Sequence, residues 1–335
     1  NRVNKSTLTM DHSTVLGYLF LGGGQGYSYS KEVEANVSNS TLHCGILGTG
    51  SNGRSDKVTA TVTGCTFAKA DKQKDIIEIA PLNRGIIKEI SMAFAGCTFP
   101  SNTADYAAYL GATYGYDGKS KVELSKVNVE FNENCVNTPV MCLSTGLSKA
   151  DATVTGAKVI AAPSVASSNT TVKQYTIDTD KTWTFNEGLE IAEDVTLTNN
   201  GTLSTNNKAL VVNGTYIVSK IDQLTTALSS IAEGGTISLA KADYEFSSPL
   251  VINKAITLKS ANAQDKATIK GCIAVKAEGT IISDLAFAYG WKSSKFSDKT
   301  GIAVFGNSAT ITGNTFTTTG DDHGTNGIAF YPQTA

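Results

Sequence analysis

The phrase "TVTGCTF", Thr61 to Phe67, returns as "AFAGCTF" from Ala93 to Phe99 and as "TITGNTF" from Thr310 to Phe316. A chain that repeats itself in this way is built from one unit stacked on itself. The six-residue kernel reads apolar, any, turn-tolerant, small, any, apolar. It also occurs as "MDHSTV" (Met10 to Val15), "VSNSTL" (Val37 to Leu42), "LSKVNV" (Leu124 to Val129), "VTGAKV" (Val154 to Val159) and "ISDLAF" (Ile282 to Phe287). Between successive terminal apolar residues the spacings are 27, 25, 32, 30 and 30 in the first half, and the last two phrases lie 29 apart. Periods of this size mean stacked coils.

The parity of the kernel says what each coil does. Its two apolar ends are five positions apart, so an uninterrupted strand would send them to opposite faces. The chain must therefore bend between them. The third and fourth positions, His-Ser, Asn-Ser, Gly-Cys, Gly-Cys, Lys-Val, Gly-Ala, Asp-Leu and Gly-Asn, are rich in residues that tolerate positive φ. Strand, sharp corner, strand is the expected motif, and the segments are rich in Thr, Val and Ile with little helical spacing. The expected fold class is all-β, a parallel β-solenoid. Val15, Leu42, Phe67, Phe99, Val129 and Val159 are expected to stack as one inward column.

One segment departs from this rule. In "SKIDQLTTALSSIAEGGTISLAKADYEF", Ser219 to Phe246, residues Ile221, Leu224, Leu228 and Ile231 form one helical stripe, Gly234-Gly235 stops it, and a strand follows. An amphipathic helix near 221–232, then "YEFSSPLVINKAITLKS" and the coils "ATIKGCIAV", "TIISDLAF" and "ATITGNTF", resembles the start of pectate-lyase-like right-handed parallel β-helices. In that superfamily such a helix covers the open first coil. The resemblance implies a right-handed β-helix with a capping helix, Leu224 and Leu228 buried. The expected organisation is solenoid coils over 1–165, a Ser/Thr/Asn-rich join with short strands over 166–219, and a helix-capped β-helix over 220–335.

Composition narrows the function classes. With 28 basic against 30 acidic residues the net charge is −2, leaving no global pull toward nucleic acid or anionic membrane. Arg2, Arg54 and Arg84 are the only arginines, too few for phosphate clamps. No apolar run of about 18 residues exists to span a bilayer. Abundant Thr, Ser, Asn and Gly with few Pro and Met match β-rich extracellular bacterial proteins, so a secreted or cell-surface location is expected. The first residue is not Met and the chain stops at "GIAFYPQTA", from which a piece of a longer polypeptide is expected.

Candidate sites are sparse. Cys65 and Cys97 hold the same kernel position, which suits either a disulfide or a ladder of buried free thiols. Cys135 and Cys142 are the next pair to consider, and no zinc-type spacing occurs. Asp321, Asp322 and His323, in "GDDHGTNG", are the acid, base or cation-binding candidates, with a plain polar turn as the alternative. Adjacent aspartates resemble a polygalacturonase-like motif of the superfamily, and the resemblance brings calcium as the one candidate cofactor. The Asn-x-Asp motif of a neighbouring coil, any His-Gly apart from His323-Gly324 itself, and the basic pair of that pattern are missing. For a lyase, Lys292, Lys295 and Lys299 are the only nearby bases. Tyr109, Tyr114, Tyr116, Tyr289 and Trp291 offer flat rings that can stack on sugars, with a structural role as the alternative. The leading expectation is a non-catalytic, adhesin-like or glycan-binding surface module with polysaccharide or host glycan as partner. The alternatives are a polysaccharide lyase or glycoside hydrolase of the superfamily, and a structural surface-layer or filament component.

Overall fold

Parallel strands, many of them joined at corners with positive φ, are the main element of the described residues. The computed structural model describes residues 2–22, 28–49, 53–68, 75–81, 86–101, 107–110, 123–143, 146–165, 171–289, 300–306, 308–318 and 325–331. The chain is an all-β parallel solenoid. It forms two compact units, Asn1–Val195 with Gly201–Leu210, and Thr196–Asn200 with Val211–Ala335. The expected join over 166–219 is thus shared between them.

In the first unit one wall stacks Arg2–Asp11, Tyr29–Ser38, Arg54–Thr63, Ile86–Ala95, Lys126–Phe131, Asp151–Thr155, Thr182–Phe185 and Thr202–Ser204. A short second wall stacks Thr14–Val15, Thr41–Leu42 and Thr66–Phe67, and continues through single bridges from Thr66 to Thr98 and from Thr98 to Val136. A third wall runs from Leu19–Phe20 through Ile46–Thr49, Asp75–Pro81, Ala107–Leu110, Met141–Leu143 and Val159–Ala161 to Leu189–Ile191. Alternation along each strand sends one side inward: Val33, Val58, Ile90, Val127, Ala152 and Trp183 form one buried column.

The corner is where local sequence acts most directly. His12, Asn39, Gly64, Gly96, Gly156, Asp284 and Gly313, each the third residue of a kernel, have φ between 45° and 76°. Gly, Asn and Asp reach this region at least cost, which is why they recur there. Lys126 is the exception. It lies in a strand, because "LSKVNV" is the first wall itself and the real corner of that coil is Asn132 to Val136. Val129 therefore pairs with Met92 and Val154, and Val159 with Met141 and Leu189. The expected single column holds for Val15, Leu42, Phe67 and Phe99 and then splits over two other walls.

Phenylalanines fill the space behind this corner. Phe67 stacks on Phe99 at 4.6 Å and Phe94 on Phe131 at 4.8 Å, and the two stacks meet edge to face. Offset stacks and edge contacts of this kind add to plain burial.

The second unit has the same three-walled plan. Its walls are Thr196–Asn199, Thr215–Val218, Thr236–Leu239, Thr257–Ser260, Thr280–Ser283 and Ala309–Thr312; then Asp243–Glu245, Thr268–Lys270, Ala286–Tyr289 and Thr315–Thr318; then Leu250–Ile252, Ile273–Val275, Thr300–Val304 and Asn326–Phe330. The helix Ile221–Ser230 takes the place of second and third walls between Thr215–Val218 and Thr236–Leu239, and packs on both strands. Leu224 and Ala227 are buried, whereas Leu228 is half-buried, contrary to expectation. The chain leaves the helix at Ile231, which is buried in a bridge to Val212 and so sets the rotation that turns Ala227 inward. Lys254 Nζ donates to the Ser229 and Ile231 carbonyls at 3.2 and 2.8 Å, satisfying acceptors that a helix end leaves open. Among the described residues no helix is long and apolar enough to cross a membrane.

Candidate functional site

The residues singled out in the sequence do not converge. Asp321, Asp322, His323, Tyr114, Tyr116, Trp291, Lys292, Lys295 and Lys299 lie outside the described residues. Tyr109 stands on the third wall, half-buried, between Glu78 and Cys142 in register. Tyr289 is not a surface platform. It is 7% exposed and meets Phe316 edge on at 6.5 Å, since its alternate position on the strand faces the core. Phe287, two residues earlier, is buried for the same reason and stacks on Phe316 at 4.9 Å.

Cys65 and Cys97 are free thiols in a ladder, and the four other cysteines are free thiols as well. The Cys65 thiol donates to the Val37 carbonyl, Cys97 to Val62 and Cys135 to Phe94, at 3.7, 3.3 and 3.4 Å. Val37, Val62 and Phe94 are themselves stacked partners, so each thiol binds the coil before it. Backbone bonds from Thr41 to Ser13, Thr66 to Ser40, Thr98 to Cys65 and Val136 to Cys97 place two serines at the start of the same column. Cys135 thus belongs to this ladder, not with Cys142. Burial pushes the Cys97 thiol up to about 11 and raises Cys65 as well, which makes both poor nucleophiles.

A more promising recess of about 270 Å³ opens where the coil ladder is interrupted. The short 3-10 turn Leu147–Lys149 and the antiparallel pair Ser164–Val165 with Thr171–Val172 replace regular coil there. Ser148, Lys149, Gln174, Tyr175, Thr176, Asp178 and Trp183 line it. The floor is rigid: Trp183 is buried and donates from Nε1 to the Ala150 carbonyl at 3.2 Å, and Tyr175 donates to Ala162 at 2.5 Å. Two hydroxyls, an amide, an ammonium and a carboxylate thus line a recess underpinned by two aromatic residues that are 1% and 4% exposed and hold it in shape without presenting a ring face. Such a mixture of donors and acceptors suits a polyhydroxylated ligand.

Comparison with protein-family models, curated proteins and solved structures found no match. Function therefore rests on geometry, and the geometry contains a feature that motif reading passed over. On the outer face of the first wall Lys5, Glu32, Lys57, Glu89, Lys126 and Asp151 are successive partners, with charge alternating at every rung. A groove of about 320 Å³ runs beside it, lined by Lys57, Thr59, Glu89, Ser91, Lys126 and Asn128 among others. Lys5 also pairs with Glu34 at 2.7 Å, and Lys88 with Asp56 at 2.8 Å. The lysine partners and, for Asp56, the Tyr29 hydroxyl hold these two carboxylates below the usual range. The signal was present in the spacings: 27, 25 and 32 separate the first four charges, the same steps as the apolar column.

Proposed function

We propose that this chain is a non-catalytic, adhesin-like module of a secreted or cell-surface protein, built on the pectate-lyase-like β-helix plan, that binds polysaccharide or host glycan. The observation that carries the reading is the recess over Trp183 and Tyr175. It sets Lys149, Gln174, Thr176 and Asp178 around a rigid floor at the place where the repeat is broken. In a repeat protein regular coils supply a scaffold, and an interruption is where a distinct surface can be held in place. Hydrogen bonds to sugar hydroxyls there would be individually weak, and affinity for a polymer would come from multiple attachment.

The test is titration of the intact chain with a panel of neutral and acidic oligosaccharides, followed by calorimetry and by Trp183 fluorescence. Binding lost in Gln174→Ala and Lys149→Ala, with the fold retained, supports the reading. Parallel incubations with and without calcium, followed by unsaturated-product absorbance and reducing ends, address the lyase or hydrolase alternative. Turnover abolished by Asp322→Ala would replace the binding reading with that one.

A further inference from the structure

We infer that the outer face of the first wall is a self-association surface, and that its occupant is a second copy of this chain lying face to face with the ladder direction reversed. The alternating column is electrically neutral at a distance, because neighbouring rungs about 4.8 Å apart cancel. It therefore attracts no partner from afar and discriminates only at contact, in favour of a surface with the same period and opposite phase. A second copy carries that period by construction.

The phase follows from symmetry. A two-fold axis along the strand direction, midway between Lys57 and Glu89, sets rung one against rung six, two against five and three against four. Lys5 then faces Asp151, Glu32 faces Lys126 and Lys57 faces Glu89, each twice. Had the ladder directions been parallel about a two-fold axis, every charge would face its own like.

The flanking columns agree. In the column Thr7, Glu34, Thr59, Ser91, Asn128 and Thr153, reversal sets Glu34 against Asn128 and Thr59 against Ser91. In the column Thr9, Asn36, Thr61, Ala93, Glu130 and Thr155, Glu130 meets Asn36. On the other side Asp56 meets Lys88, and Lys31 meets Ser125. None of these facing pairs sets like charges together. Six rungs of strands up to 10 residues long offer roughly 600–800 Å² per partner, near the size of a standard interface. Contacts of this polar kind are screened by salt, so the dimer is a weak, salt-sensitive one.

Sedimentation equilibrium of the intact chain in about 20 mM and about 500 mM salt reads this directly, with a dimer expected at low salt and a dissociation constant at least about tenfold higher at high salt. Lys57→Glu and Glu89→Lys each set like charges face to face twice in their own dimers, so each variant alone is expected to be monomeric. Mixing the two restores every opposite pair, so a heterodimer is expected to form. Circular dichroism verifies the fold, and Glu32→Lys mixed with Lys126→Glu repeats the experiment at another rung. A wild-type chain that stays monomeric at low salt, or folded variants that fail to associate on mixing, would overturn the inference. So would a monomer that retains a charged polysaccharide on this face. The glycan recess uses other residues, so either result stands without the other.

Discussion

The Cys97 thiol donates to the carbonyl oxygen of Val62, one coil earlier, at 3.3 Å. Because Cys65 and Cys135 make the equivalent bond, the column is a hydrogen-bonded ladder that begins with Ser13 and Ser40 and continues in sulfur. The serines donate within their own coils, Ser13 to the Asp11 carbonyl and Ser40 to the Ser38 carbonyl, and Ser40 Oγ accepts from the Ser13 amide of the coil before it, so only the thiols donate along the stacking axis.

The native protein is accordingly expected to resist thiol reagents at Cys97 and Cys65 near neutral pH and to become reactive only on unfolding. Burial favours the neutral thiol, so the folded pKa of Cys97, about 11, lies above the unfolded value. From about pH 8.5 upward the unfolded chain ionises while the folded thiol does not, and stability falls by up to about 1.4 kcal/mol per pH unit until the folded group titrates. Denaturant midpoints between pH 8 and 11 check this. Cys97→Ser, which keeps the donor, should flatten that decline, and an unchanged slope would refute the assignment.

Two corner glycines separate backbone strain from collision. At Gly156, with φ +76°, an added Cβ would sit 1.9 Å from the Phe131 carbonyl oxygen. At Gly96, with φ +59°, it would meet nothing within 4 Å. Gly96→Ala should cost about 1–2 kcal/mol, the left-handed penalty alone. Gly156→Ala should cost more, because backbone must also move. Thermal or denaturant unfolding of the two variants decides it, and equal losses would show that the contact relaxes freely.

Leu224 is fully buried under the helix Ile221–Ser230 and Leu228 is half-buried. Leu224→Ala should therefore cost about 2–5 kcal/mol and Leu228→Ala clearly less. Paired denaturation curves reversing that order would place the helix in a different rotation.

Phe99 closes the corner column by stacking on Phe67 and meeting Phe94 and Phe131 edge on. Phe99→Ala is expected to cost about 3–5 kcal/mol, and Phe99→Leu less, since volume is partly kept. Loss confined to the first unit, seen by hydrogen exchange of its strands, would confirm that the stack acts locally.

What was legible in the residues was whatever a single residue imposes on its own backbone. Asn39, Gly64, Gly96, Asp284 and Gly313 announce left-handed corners because their side chains, or lack of one, make positive φ cheap. From those corners came strands, coils and a parallel solenoid. The register between coils was decided elsewhere. "LSKVNV" matches the kernel at its apolar ends but carries Lys and Val at the turn-tolerant and small positions, and it forms a wall, because Lys126 pairs with Glu89 and Val129 with Met92 across 37 residues. That choice sums many non-local contacts and depends on how much chain each connection consumes. The rotation that buries Ala227 rather than Leu228 depends in the same way on Ile231 and Val212. The alternating charges became a surface only once six coils had stacked, since opposite signs 25 to 37 residues apart have no meaning until the fold makes them neighbours.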